Sequence, residues 1–573
     1  MTSYAGEKNG KFGIVSVSDK GVESFTPLGR AVYITGITEV LETGEVFFDL
    51  EFDFNGRLVQ LTIPRGHLKR SALINYSAQG MDAFEHTITT LIEFLQMQEM
   101  NIEPTTGHIR VGWDTFVDDD GKQQPFFKGY KAIGYDSDYL GDLNIKPTGG
   151  KIDKYRDLVS EHILGTPLEL AVAVGLAAVL VGFIGSEVDC ANLFVHVFGD
   201  SSSGKTTFGV VAVAMGSKPD FRGQTLMRRF NSTQNALLQS LVGNTGLPTC
   251  FDEAKEAKKT DFSSLIYALE SGTEKMRMAK DTVRSVGEYR TSITTTGEFS
   301  LTSDDSERAA GKEIRVQQFG SIMWTKDATS SEAIKGFFRR NYGLPCVLLA
   351  KHLLKIGKDA AIECFERNRR TFIEHSEVKD TFTERLSIKY GMILATVELA
   401  NKAMDFKLSY EEILKMLVYN EQATAETRDL AQSACEYVLG QAIIHQKNFS
   451  YMTYFGSKPE IHPTVHRDTW GLRVTHTPPK VINEKKCYET VYIQTDIMTE
   501  MLRKGNFKDT SVIIKQWKDR GLLDFEVGRN TRHRKISPSG NKVHVYGVRV
   551  FDKPRKDPSE EDRIVRVASL EEM

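Results

Sequence analysis

Residues Gly199 to Thr206 read Gly-Asp-Ser-Ser-Ser-Gly-Lys-Thr. The two glycines let the backbone turn tightly enough to aim successive N–H groups at a polyphosphate, Lys205 is placed to reach the outer phosphates, and the Thr206 hydroxyl can hold Mg²⁺. Gly199, Asp200, Ser201, Ser202, Ser203, Gly204, Lys205, Thr206 and Thr207 are therefore the candidate nucleotide-binding residues, and ATP with Mg²⁺ the expected cofactors. The flanks agree with this reading. Leu193 to Phe198 is a short apolar run of buried-strand type, and Thr207 to Met215 is small and apolar enough to be the following helix.

Hydrolysis needs a second acid for the metal shell and a group that orients water. Leu247 to Glu253 supplies both at the end of a short apolar strand, with Asp252 supporting the metal and Glu253 orienting the attacking water. A third strand, Thr291 to Thr296, ends in Gly297-Glu298. A polar side chain at that end could sense the γ-phosphate; Thr296 is the first choice and Thr295 the second. An arginine from a neighbouring subunit would stabilise charge on the transferred group. Arg315 stands at a suitable distance, with Arg308 as the alternative, and Arg385 is the candidate nucleotide contact from the helical region.

Two basic segments are candidate DNA contacts. Between Glu270 and Thr291, Lys275 and Arg277 alternate with methionines, Lys280-Asp281 makes a turn and Arg284 returns, which reads as a basic hairpin inserted before the third strand. Between 501 and 550 there are twelve Lys and Arg against four acids. Two helices, Asp496 to Lys504 and Thr510 to Arg520, and two strands around Ser537 to Gly540 give that block the order of a winged helix. Lys515 and Lys518 would lie on its second helix and Arg529, Arg532, Arg534 and Lys535 in its wing. Winged helices also bind protein, so charge alone leaves that partner open.

These parts must be positioned by several domains, since 573 residues exceed one core. Residues 1–104 read as a β-rich domain, with Val46 to Phe54 and Val59 to Ile63 paired across Asn55-Gly56. Residues 105–188 are accessory strands and helices, 189–322 the nucleotide core, 323–450 a helical subdomain, 451–485 a linker rich in Pro, His and Thr, 486–555 the winged helix and 556–573 a charged tail. The expected fold class is α/β, an AAA+ P-loop ATPase core with these additions. Six single cysteines without CxxC spacing exclude a disulfide framework and a zinc ribbon. The 15 apolar residues from Leu170 to Ile184 fall short of the roughly 20 that span a membrane. With no apolar leader at the N-terminus, a cytoplasmic protein without a membrane partner is expected.

The chain resembles the MCM-like AAA+ replication helicases of staphylococcal mobile elements, namely the cassette-chromosome helicases and the pathogenicity-island replication initiators. The resemblance rests on Phe198 to Thr207, Val111-Gly112-Trp113, Gly272 to Tyr289, Thr296-Gly297-Glu298 and Arg315, and it spans roughly residues 105 to 420. It implies a homo-hexameric ring that loads itself, translocates on single-stranded DNA and recognises a double-stranded origin through its C-terminal domain, with repressor or host replication proteins as further partners. The family's sensor strand commonly ends Ser-Thr-Gly-Glu where this chain has Thr295-Thr296-Gly297-Glu298. Two other readings stay open: an ATP-dependent origin-binding switch that recruits a host helicase, and, disfavoured by the basic tail, a small-molecule kinase.

Overall fold

The computed structural model describes residues 2–231, 233–254, 262–273, 278–279, 282–283, 287–302, 310–428, 430–455, 458–466, 468–505, 507 and 510–551. They form two compact units, the described residues of 2–302 and 311–421 in the first and those of 422–551, with residue 310, in the second.

The first unit opens with an antiparallel meander of β1 (Thr2–Lys8), β2 (Lys11–Val17) and β3 (Glu23–Arg30). A second sheet follows from β4 (Val32–Val40), β5 (Val46–Phe54) and β6 (Arg57–Pro64). Asn55 and Gly56 turn the β5–β6 hairpin with φ of 56° and 79°, the left-handed pair that a two-residue hairpin requires. After a single turn, α1 (Arg70–Leu73), the first long helix is α2 (Ile88–Glu99). The Thr87 hydroxyl bonds the Asp82 and Phe84 carbonyls and holds the preceding residues in a turn.

β7 (Thr105–His108) extends the second sheet, β8 (Val111–Val117) and β9 (Gln123–Lys128) form a hairpin, and β10 (Asp138–Tyr139) pairs with β7. An ion cluster around a buried lysine ties the two sheets together. Lys128, 2% exposed, reaches Glu42 at 2.9 Å and Asp114 at 2.7 Å, while Glu42 also accepts the Ile109 and Arg110 N–H groups. Breaking such a pair leaves an uncompensated charge, so the cluster fixes where the β-rich region joins the rest of its unit.

Beyond α3 (Ile152–Leu158), every residue of α4 (Glu169–Ile184) is buried. A helix apolar on all sides needs neighbours on all sides. A Cβ on Gly175 would lie 2.4 Å from the Ala212 carbonyl oxygen, and one on Gly182 2.4 Å from that of Thr245, so the glycines mark the closest approaches. Among the described residues no helix is long and apolar enough to cross a membrane.

The central sheet contains β11 (Leu193–Phe198), β12 (Met227–Arg229), β14 (Thr249–Asp252), β17 (Ser292–Gly297) and β18 (Gln317–Gly320), all parallel in the order β12-β14-β17-β11-β18. Leu193, Val195 and Val197 join one apolar core with α4 and α5 (Lys205–Ala214); Phe194, Phe251 and Ile293 join another with α6 (Gln234–Gln239) and α7 (Phe262–Ser271). Both faces are covered, as parallel sheets require. The short β13 (Asn244–Thr245) pairs with β8, and β15 (Met278–Ala279) with β16 (Thr282–Val283).

After α8 (Ala310–Arg315) come α9 (Ala328–Phe338), α10 (Leu344–Ile356), α11 (Lys358–His375), α12 (Thr381–Met404) and α13 (Tyr410–Arg428). The second unit packs α14 (Leu430–Ile444), α15 (Thr495–Lys504) and α16 (Thr510–Asp519) into one core, with the buried Trp517 donating its indole N–H to the Ala431 carbonyl at 2.7 Å. α14 thus belongs with the C-terminal helices and not with the helical subdomain expected to end at 450.

The expected linker at 451–485 is corrected as well. β19 (Phe449–Phe455), β20 (Lys458–His462) and β21 (Gly471–Ile482) join β22 (Lys485–Gln494), β23 (Leu523–Asp524), β24 (Arg532–Lys535) and β25 (Lys542–Phe551) in one sheet. Proline lacks the ladder donor, and Pro478 and Pro479 fall where the β21–β22 register shifts, between Thr475 and Lys480. The strand absorbs them as an irregularity.

Candidate functional site

The phosphate-type loop sits at the carboxyl end of β11, where parallel sheets open a crevice between loops. Gly204 has φ 86°, and a Cβ there would stand 3.0 Å from Thr325, so both dihedral and space require glycine. The Ser203 carbonyl accepts the Trp324 N–H at 2.9 Å and the Ser203 hydroxyl bonds the Asp200 carbonyl at 2.9 Å. Lys205 folds onto the loop, its Nζ donating to the Gly199 carbonyl at 3.0 Å and the Asp200 carbonyl at 2.5 Å. Thr207 faces away, its hydroxyl 2.7 Å from that of Ser331 in α9.

Strand order brings the other candidates to this loop. β17 lies between β11 and β14, so Thr296 reaches the end of the Asp252 strand. The Thr296 hydroxyl donates to Asp252 Oδ1 and accepts the Glu253 N–H at 3.1 Å, and the Thr206 hydroxyl stands 3.4 Å from both Asp252 oxygens. Burial pushes the Asp252 carboxyl above its usual range, the Glu253 charge adds to that, and hydrogen bonds from Thr296 and Thr206 oppose it. A buried acid beside a hydroxyl, with its proton held too tightly, is a donor set that a divalent cation would relieve.

Side chains alternate along a strand, and this separates the two threonines that the sequence left as first and second choice. Thr295 points to His196 on β11, its hydroxyl 2.8 Å from Nδ1, while His196 Nε2 lies 2.9 Å from the Phe299 carbonyl. A carbonyl only accepts, so the neutral ring carries its proton on Nε2 and takes the Thr295 hydroxyl hydrogen on Nδ1. Burial drives the His196 pKa down to about 4.

Glu253 follows Asp252 with φ 61°, a left-handed conformation that is uncommon for a residue with a side chain and that turns the chain sharply after the strand. Arg229, at the end of β12 and in register with Asp252, stands 4.0 Å from the Glu253 carboxylate with its guanidinium over Phe221. Sequence reading passed over Arg229. Its signal was position alone, the carboxyl end of a strand next to β14, and a three-residue strand carries no alternation to reveal that.

Arg315 lies with its guanidinium 4.4 Å from the Tyr267 ring centroid and 3.6 Å from Glu270, so these partners are within its own chain. Glu270 also meets the buried Lys389 of α12 at 3.4 Å; Lys389 donates to the Asn192 carbonyl at the foot of β11 and was likewise not foreseen. Arg385, one turn earlier on α12, is exposed. β15 and β16 pair antiparallel, Met278 opposite Val283, at the expected basic hairpin. Its root is fixed by Tyr289, whose hydroxyl donates to the Ala268 carbonyl at 2.6 Å. Lys275, Arg277, Lys280, Arg284 and Arg308 lie outside the described residues, as does the expected tail at 556–573.

In the C-terminal unit Lys515 is exposed on α16, Lys518 lies over the Phe525 ring at 4.6 Å, and Arg529 is exposed before β24. The expected wing residues divide by strand alternation. Arg532 donates to Asp524 at 2.8 Å and Arg534 stacks 4.3 Å from the Tyr492 ring centroid, both on the inner face, while Lys535 is exposed. Asp524 is buried, yet hydrogen bonds from Arg532 and Tyr492 and the charge of Arg549 hold its carboxyl below its usual range.

Comparison with known proteins bears on both units. Residues 11–287 match a family model described as a domain of unknown function, DUF927, and residues 429–553 match the Cch helix turn helix domain. No curated protein matches. A solved structure described as "SCCmec type IV Cch - active helicase" is similar with a TM-score of 0.69 at 19% sequence identity, over 94% of this chain and 96% of that one. The likeness is one of fold, a mixed α/β architecture ending in a helix-turn-helix domain, and it extends over nearly the whole of both chains.

Proposed function

We propose that this protein is an ATP-driven DNA helicase of the AAA+ P-loop type and an origin-binding initiator, working as a homo-hexameric ring on single-stranded DNA. The observation that carries the reading is the convergence of Lys205, Thr206, Asp252, Glu253 and Thr296 from three strands at one end of a parallel sheet. The similar fold of a protein described as an active helicase supports it.

ATP and Mg²⁺, when bound, supply a phosphoanhydride to cleave and the charge that makes its phosphorus electrophilic. The loop N–H groups cradle the phosphates, and Lys205 exchanges carbonyl partners for phosphate oxygens. Thr206 and Asp252 hold the metal, and Glu253 orients the attacking water. Thr296, bonded to both Asp252 and the Glu253 backbone, keeps the two acids in fixed relation. An arginine in trans, Arg315 or Arg308, and Arg385 complete the site between subunits. The 272–290 insertion, which carries Lys280, grips the strand, and the C-terminal domain reads the origin.

Hydrolysis measured with and without single-stranded DNA tests this. Turnover rises with DNA and disappears in Lys205→Ala; turnover indifferent to DNA would defeat the motor reading.

A further inference from the structure

The β24–β25 hairpin pairs Arg532 with Val545, His533 with His544, Arg534 with Val543 and Lys535 with Lys542. Period-two alternation therefore gathers His533, Lys535, Lys542 and His544 on one face, and all four are exposed. Only Lys535 of these belonged to the expected DNA contacts. The opposite face is anchored: Val545 and Ile536 are buried with Tyr492, Arg532 bonds Asp524, and Arg534 stacks on Tyr492.

Two lysines directly opposite each other destabilise a strand pair. The histidine rings lie 4.9 Å apart between centroids at 33°. Glu526 accepts the His533 backbone N–H at 3.0 Å. A polyanion laid across the hairpin would neutralise the facing lysines and accept hydrogen bonds from the ring N–H groups of both histidines.

We infer that this outward face, His533, Lys535, Lys542 and His544, is the wing's contact with the phosphate backbone of duplex DNA. The inference rests on the C-terminal domain binding DNA and adds which face does so.

The test is the affinity of the full chain for a fluorescent duplex across a salt series. Each phosphate neutralised contributes about 0.9 to the slope of log K against log salt. Lys535→Gln with Lys542→Gln flattens the slope by about two. His533→Ala with His544→Ala weakens binding by about tenfold, the worth of two hydrogen bonds. Thermal midpoints check that each variant folds. An unchanged slope in the lysine pair variant, or unchanged affinity in the histidine pair variant, overturns the inference while leaving the helicase reading intact. Equal affinity for polyglutamate and duplex also overturns it, as a general anion surface. A chain that binds no duplex at all defeats origin binding and this inference together.

Discussion

The loop site and the wing hairpin both concentrate charge at the end of a sheet, and they arrange it in opposite ways. Around Gly199 to Thr206 the polar side chains point inward and hold one another: Lys205 on loop carbonyls, Thr296 on Asp252 and on the Glu253 N–H, Thr206 beside Asp252. On the wing, the inner arginines are engaged in the same manner, but the outer face sets histidine against histidine and lysine against lysine. The first arrangement suits chemistry, which needs groups fixed before the substrate arrives. The second suits a partner that brings the missing charge.

Changes at the loop should be nearly silent in stability and severe in turnover. Lys205→Ala is expected to lower ATP hydrolysis by about 100-fold or more. Glu253→Gln should lower it by a similar factor while nucleotide binding, read by equilibrium titration, persists. The two threonines sharpen the contrast further. Thr296→Val should cut turnover by about tenfold, the worth of one hydrogen bond to a charged group. Thr295→Val should spare turnover and destabilise the unit by about 2 kcal/mol, because His196 Nδ1 is left buried without a donor. A Thr295→Val enzyme as impaired as Thr296→Val would erase the distinction between the two faces of β17.

On the wing the ranking inverts. Arg532→Ala should destabilise the C-terminal unit by about 2 kcal/mol, since Asp524 loses a charged partner, whereas Lys535→Gln, three residues along the same strand, should stay within about 0.5 kcal/mol. Urea midpoints compare them. Equal losses would show that the two faces do not differ.

pH gives the smallest effects. His196 is held neutral in the fold with a pKa near 4, below the ordinary histidine value. The unfolded chain therefore binds more protons between about pH 6.5 and 4, and stability falls through that window as pH drops. His196→Phe should flatten this dependence in urea midpoints taken across the window. Asp252 has the opposite shift, so it takes up its proton at a higher pH than an ordinary carboxylate. The Mg²⁺ needed for half-maximal hydrolysis should rise on acidification, and should not rise in Asp252→Asn.

The loop, its flanking strand and helix, and the Asp252 strand were legible because each is a local pattern, a motif followed by a run. What the sequence could not supply was register. Thr295 and Thr296 are indistinguishable until β17 is paired, and Arg532 and Lys535 look alike until β24 is. The 451–485 strands were misread because prolines usually mark a strand's end, and here they lie inside β21. Arg229 and Lys389 act across elements distant in sequence, and no local spacing announces such contacts.

The claim that the loop site drives strand separation is tested most directly by displacement of a labelled strand from a forked duplex, using the purified chain with ATP and Mg²⁺. The account predicts displacement by the unaltered protein, none by Glu253→Gln, and none by Lys280→Ala although that variant retains much of its ATP hydrolysis. Vigorous hydrolysis by the unaltered protein without any displaced strand would contradict it and leave the nucleotide site as a switch.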